Sequence, residues 1–279
     1  MIIQARAKIN WTLNVTGVRK DGYHVLDMLM QPLALHDTLL IEPGEGLSLR
    51  VEGDYSPSAG EDNLVMRCAR ALQARYGESR GASLRLIKRI PMGAGLGGGS
   101  ADAAAALKGL NEFWGLHLSL DALCEIGLPL GADIPFCLHD APRRAQGIGE
   151  ILTPIVSAVF PLVLVQPCEA LSTREVFTAY HQTAFSPPDT PRAMAALAEG
   201  SLKALRLCAG NVLESASIPL RPAIGEARDA LYTSGAAFAQ MTGSGSVVFG
   251  AFETPEGAEK AYLALRRRYP VCLKTETAL

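Results

Sequence analysis

A chain of 279 residues that is 48% hydrophobic and 19% charged carries enough apolar surface for two modest domains. Its net charge of −2 supplies no positive field for nucleic acid or an anionic membrane surface. The six cysteines contain no C-x-x-C pair and the five histidines no H-x-x-x-H pair. That spacing argues against a disulfide framework or a metal site built by the protein, and for reduced thiols in a cytoplasmic setting. Residues 1–6 lack the apolar run of a secretory leader. The most apolar stretch, residues 155–165, is interrupted by Ser157 and Pro161 and is too short to span a bilayer.

From residue 3 to residue 15 apolar and polar side chains alternate, the period of a half-buried strand. Lys8, Asn10 and Thr12 share its polar face, which is solvated unless another element covers it. Arg19-Lys20-Asp21-Gly22 signals a hairpin, Tyr23-His24 opens the returning strand toward Gln31, and a turn at His36-Asp37 precedes a third strand over residues 38–42. Val65, Ala69, Leu72 and Tyr76 recur at helical spacing, with the start near Asp62 and a stop at Gly77. A further short helix opens at Ser119 or Leu120 and ends near Gly127. Gly147-Ile148-Gly149-Glu150 is a turn into the second half. There, strands over 160–166, 236–241, 247–252 and 271–275 alternate with helices. Ser172-Thr173-Arg174-Glu175, Thr190-Pro191, Arg221-Pro222 and Thr254-Pro255 open those helices. The run Arg266-Arg267-Arg268 ends the last of them, where cations suit the helix dipole.

The organising stretch is Pro91-Met92-Gly93-Ala94-Gly95-Leu96-Gly97-Gly98-Gly99-Ser100, with Ala101-Asp102 and an alanine run behind it. A strand ending near Ile90 leads into five glycines within seven residues, and the alanines then favour helix. A glycine loop opening into a helix presents backbone N–H groups and the positive end of the dipole, an anion site. Ser100 is placed as N-cap and Asp102 in the first turn. No Gly-Lys-Ser/Thr follows, so this is not a Walker A loop. Further on, Leu130-Gly131-Ala132-Asp133-Ile134-Pro135 sets a carboxylate between a glycine turn and an apolar segment fixed by proline. Such a carboxylate either caps a helix or has a charged partner.

Three separated segments, Ala7-Lys8-Ile9-Asn10, Pro91 to Ser100, and Thr242-Gly243-Ser244-Gly245, resemble the three motifs of the GHMP small-molecule kinases. Lys8 to Leu13, Gly17 and Asp21-Gly22-Tyr23-His24 are similar to the branch that acts on 4-diphosphocytidyl-2-C-methyl-D-erythritol. The resemblance covers essentially the whole chain. It implies an α/β (α+β) fold of two domains, a ribosomal-S5-domain-2-like ATP-binding domain over 1–152 and a ferredoxin-like domain over 153–279. It also implies transfer of a phosphoryl group from ATP to the 2-hydroxyl of the methylerythritol unit, in the non-mevalonate route to isoprenoids.

For the residues, the resemblance implies Asp133 as general base and Lys8 as the cation beside it. The loop Pro91, Met92, Gly93, Ala94, Gly95, Leu96, Gly97, Gly98, Gly99, Ser100 and Ala101 would hold ATP, with Asn63 and Lys88 toward the adenosine end. A helix-start residue and a surface lysine are the plainer readings of those two. Mg²⁺ would travel with ATP. Tyr23 would stack on the cytosine, His24 read its polar edge, Asn10 face the substrate, and Thr173 and Phe177 approach it from the second domain. Tyr23 and Phe177 read equally well as core aromatics. The expected partners are these two small molecules, with no nucleic acid or membrane, and the expected state is a monomer or weak homodimer. Two features depart from the resemblance: the third motif is a short Thr-Gly-Ser-Gly, and Asp102 places a carboxylate behind the phosphate loop, to repel phosphate or to bind its counter-ion.

Overall fold

In the computed structural model, which describes residues 1–55, 57–76, 79–180 and 186–279, the alternating run near the N-terminus forms strand β1 (Ile2–Val18). Arg19 and Gly22 close the predicted hairpin, with Gly22 at φ +86°, and β2 (His24–Glu42) returns alongside β1. β2 is a single strand of 19 residues. The turn expected at His36-Asp37 is absent because Asp37 lies inside β2 and its buried carboxylate accepts the backbone N–H groups of Arg89 and Ile90. Those bonds supply inside the sheet what a turn would have found in solvent.

The structure divides into two units. They interleave along the chain instead of meeting at one boundary after residue 152, because β1 and β2 each continue from one unit into the other. The first unit comprises residues 1–7, 35–92 and 97–140. Within it β3 (Leu47–Gly53) runs parallel to β4 (Ala82–Lys88), which pairs antiparallel with the second half of β2. Helix α1 (Leu64–Tyr76) buries Val65, Ala69 and Leu72, the predicted stripe; its expected stop, Gly77, lies outside the described residues. Helix α2 (Gly98–Phe113) packs beside α1 and buries nearly every alanine of its first half. Small side chains bring it close to the sheet: a Cβ at Gly109 would stand 2.3 Å from Ile3 Cδ1 and 2.4 Å from Ile41 Cδ1. Helices α3 (Leu120–Gly127), capped by Ser119, and α4 (Ile134–His139) complete this unit.

The second unit comprises residues 8–34, 93–96 and 141–279. The first half of β2 pairs with β5 (Arg143–Gly147), which forms a hairpin with β6 (Ile151–Pro154) around the Gly147–Glu150 turn. β7 (Pro161–Gln166) follows, then α5 (Thr173–Ala179), α6 (Thr190–Glu199), α7 (Leu202–Leu205), α8 (Glu214–Leu220) and α9 (Ala223–Thr233). The chain closes with β8 (Phe238–Met241), β9 (Val248–Ala251), α10 (Pro255–Leu265) and β10 (Val271–Glu276). The strand order β10-β7-β9-β8, antiparallel throughout, is the ferredoxin-like arrangement the resemblance implied. Trp11 anchors this core, with its ring centroid 5.2 Å from Phe160 and 5.3 Å from Phe249, both edge-on, and its indole N–H on Gln31. Pro222 takes the N-cap of α9 and not its first helical position, and α7, α8, β5 and β6 carry no sequence expectation.

Candidate active site

The glycine loop is held by close approaches that only glycine permits. Gly93, Gly95 and Gly97 have φ of +59°, +77° and +68°, the left-handed region that costs other L-residues energy. A Cβ on Gly95 would fall 2.2 Å from the Thr242 carbonyl oxygen. Gly97 is the N-cap of α2, three residues before the expected cap. Ser100 therefore lies inside the first turn and Asp102 beyond it, and Gly97 offers no side chain to the first N–H groups. Pro91, Ala94, Leu96 and Ala101 are buried, whereas Met92 and Gly99 are exposed and a Cβ on Gly99 would meet nothing within 4 Å. A helix start with bare N–H groups and open space before it suits an oxyanion of phosphate.

Within the second unit three segments converge. The polar face of β1 is covered, not solvated: Lys8, Asn10 and Thr12 are 4%, 1% and 0% exposed. Lys8 N–H donates to the Leu96 carbonyl, and its Nζ donates to Asn10 Oδ1 at 2.8 Å. Asn10 N–H in turn donates to Thr242 Oγ1 at 3.1 Å. Gly243 closes the group: a Cβ there would lie 3.5 Å from Lys8 Nζ and 3.1 Å from the Gly95 carbonyl oxygen. The Lys8 ammonium is thus set against residues 93–96 and the Thr242–Gly245 turn, a fixed positive charge beside the glycine loop.

Asp133 belongs to the first unit. It is the N-cap of α4 by position, yet its side chain makes no capping bond. Ile134, fully buried, wedges the turn: a Cβ on Gly127 would fall 2.5 Å from Ile134 Cγ2. Pro135 at the second helical position holds the backbone behind the half-buried carboxylate.

Lys88 is not at the surface. It is 3% exposed, bonded to Asp37 and, at 2.6 Å, to Asp102 Oδ2. It sits under the start of α2, where a Cβ on Gly98 would come within 3.4 Å of Lys88 Nζ. Asp102 therefore meets an internal lysine, which answers what a carboxylate does there. Its Oδ1 is buried without a hydrogen-bond partner. Burial pushes the Asp102 carboxyl well above the usual carboxylate range, Lys88 pulls it down, and Asp37 pushes it up again. Burial lowers Lys88, but the two carboxylates outweigh that and raise it. Native Asp102 thus keeps its proton to higher pH than the unfolded chain, so its contribution to stability is complete below the ordinary value of 3.8 and is lost as pH rises through the native value. Asp102→Asn is expected to remove that slope: relative to wild type, the variant gains stability as pH rises from about 4 to about 8. Urea unfolding across that range measures it, and a constant difference would mean that Asp102 titrates alike in both states.

The remaining expected site residues are spread over both units. Asn63 is occupied locally, accepting Val65 N–H at 2.9 Å and donating to the Ser58 carbonyl at 2.7 Å, the plainer of its two readings. Tyr23 is 62% exposed, so it is not a core aromatic. His24 stacks on Phe177 with ring centroids 4.8 Å apart and 32° between planes, and no base fits between those two rings. Thr173 lies at the start of α5, its Oγ1 3.0 Å from Ser244 Oγ. Sequence reasoning missed Asp37, read as a turn, although an aspartate amid the apolar run Leu33 to Ile41 is a buried-charge signal. Among the described residues no three His, Cys, Asp or Glu side chains gather as a metal site, and no helix is long and apolar enough to cross a membrane.

Residues 63–141 match the GHMP kinases N terminal domain and residues 193–271 the GHMP kinases C terminal. A 4-diphosphocytidyl-2-C-methyl-D-erythritol kinase of Pelotomaculum thermopropionicum is 42% identical over 98% of this chain and 96% of its own. One from Acetivibrio thermocellus is 38% identical over 99% and 98%. A crystal structure of a 4-(cytidine 5'-diphospho)-2C-methyl-D-erythritol kinase covers all of both chains at 34% identity with a TM-score of 0.88.

Proposed function

The chain belongs to the 4-diphosphocytidyl-2-C-methyl-D-erythritol kinase family of the GHMP kinases, and we propose that it transfers the γ-phosphoryl group of ATP to the 2-hydroxyl of 4-diphosphocytidyl-2-C-methyl-D-erythritol, releasing ADP. The product is the 2-phosphate, an intermediate of the non-mevalonate route to isoprenoids. The observation that carries this reading is the convergence of the Lys8 ammonium, the glycine loop and the Thr242–Gly245 turn.

In the proposed step the acceptor oxygen attacks the γ-phosphorus, the bond from phosphorus to the β,γ-bridging oxygen breaks, and the hydroxyl proton passes to the Asp133 carboxylate. Residues 91–101 hold the phosphates through backbone N–H groups, so that no side-chain reorganisation is needed at the moment of reaction. Lys8, anchored by Asn10, stabilises negative charge on the transferred group. Mg²⁺ carried on the nucleotide would neutralise phosphate charge there. Lys88 acts from beneath the loop, under the start of α2, while Asn63 keeps its local helix-start bonds. The enzyme works in the cytoplasm as a monomer or weak homodimer.

The cytidine pocket is built from Tyr23, His24, Asn10, Thr173 and Phe177. The exposed Tyr23 ring offers a free face for the base, and the His24–Phe177 stack fixes the imidazole that reads the polar edge. Tyr23→Ala is expected to raise KM for the cytidine substrate by about 10-fold, the cost of one lost stacking contact, with KM for ATP within about twofold. Equal rises in both would remove Tyr23 from base recognition. The function itself is tested by ADP release from ATP with a panel of alcohols. Turnover with the cytidine diphosphate acceptor and none with homoserine or mevalonate is expected, and the reverse pattern would overturn the substrate assignment.

A further inference from the structure

The segment that leads into α8 has no place in the chemistry so far, yet its side chains are directed at the backbone of the third glycine turn. Asn211, 1% exposed, donates from Nδ2 to the Met241 carbonyl at 2.9 Å and to the Gly243 carbonyl at 2.8 Å. Its Oδ1 accepts Leu213 N–H at 3.0 Å, so every polar atom of the amide is engaged. Glu214 accepts Met241 N–H at 2.8 Å and is itself held by Arg228, and Ser217 Oγ donates to the Ser244 carbonyl at 3.2 Å. The neighbouring backbone is tied to β1 through Leu13 N–H on the Gly210 carbonyl and Val212 N–H on the Leu13 carbonyl.

The turn so held carries Thr242, whose Oγ1 takes Asn10 N–H, and Asn10 Oδ1 takes Lys8 Nζ. Gly243 lies against both Lys8 Nζ and the Gly95 carbonyl. A turn displaced by a fraction of an ångström therefore moves the amine against the phosphate loop. Only a planar amide with two N–H donors reaches both carbonyls from one side chain; a carboxylate of the same shape would face two acceptors with none to give.

We propose that Asn211 is a positioning residue for phosphoryl transfer, setting the Met241–Gly243 turn and through it the place of the Lys8 ammonium. This rests on the kinase reading above. Because it acts through Lys8, its loss has nothing left to act on once Lys8 is gone.

The test is a double-mutant cycle in the full-length enzyme with ATP and the cytidine diphosphate acceptor. Asn211→Ala is expected to lower kcat by about 10²-fold, the cost of a misplacement near 1 Å, with KM for the acceptor changed far less. In the Lys8→Ala background the same substitution is expected to cost less than about threefold in kcat. A purely structural role lowers Tm while kcat per folded molecule stays at the wild-type value. That result, or full additivity with Lys8→Ala, overturns the proposal. If Asn211→Ala does not fold, Asn211→Ser retains an acceptor for Leu213 N–H and loses only the two carbonyl contacts, and the same cycle is read from it. Absence of turnover by the wild type sinks the kinase reading and this role with it, whereas wild-type turnover with unaffected variants sinks the role of Asn211 alone.

Discussion

Asp133→Asn is expected to lower kcat by about 10²–10⁴-fold, the range that a positioned general base supplies. The substitution keeps the shape of the side chain and removes its capacity to take the hydroxyl proton. It leaves the backbone of the turn as it is, since Ile134 and Pro135 set that turn. ATP-induced thermal stabilisation should remain, since in the proposed function residues 91–101, and not Asp133, hold the nucleotide. Steady-state kinetics with a parallel melting series separates the two readouts. Unchanged kcat would remove Asp133 from the mechanism, and lost ATP stabilisation with it would mean that Asp133 serves binding.

Lys88→Met is expected to destabilise the protein by about 3–5 kcal/mol, the cost of stripping the counter-charge from a buried pair. Asp37 is 0% and Asp102 3% exposed, so neither carboxyl can turn to water. Asp37 keeps the Arg89 and Ile90 N–H donors but loses its only formal positive partner among the described contacts, whereas burial already favours the protonated form of Asp102. Asp102→Asn added to Lys88→Met should therefore recover little, because the stranded charge is that of Asp37. Urea unfolding measures both variants. A loss below about 1 kcal/mol, the ceiling for an exposed pair, would contradict the burial of this cluster.

Much of the fold was legible because local chemistry decided it. The alternation of residues 3–15 became β1; Ser119, Ser172 and Thr254 cap helices where their hydroxyls can reach a first-turn N–H; and the last four strands fell close to their expected limits. Local reasoning failed where a distant partner decided. Asp37 and Lys88 stand 51 positions apart, and without each other they read as a turn aspartate and a surface lysine. Asn211 and Met241 stand 30 apart, and Gly210-Asn211 by itself signals only a turn. Ser100 was misplaced for a different reason: a left-handed glycine cap at Gly97 starts the helix earlier than a side-chain cap would.

For the site, the sequence carries the residue types at the right spacings, but not which of them are buried against one another. Lys8 and Asn10 share a strand face two residues apart, so their contact follows from period-two geometry. That Thr242 completes their network follows only from the pairing of the 93–96 and 242–245 turns.

A crystal structure of the enzyme with a non-hydrolysable ATP analogue and the cytidine diphosphate acceptor examines the proposed chemistry at its centre. The acceptor 2-hydroxyl should lie within hydrogen-bond reach of the Asp133 carboxylate, about 2.6–3.2 Å, with the Lys8 ammonium on the γ-phosphate. An acceptor hydroxyl bound away from Asp133, or a γ-phosphate directed away from Lys8, would contradict it.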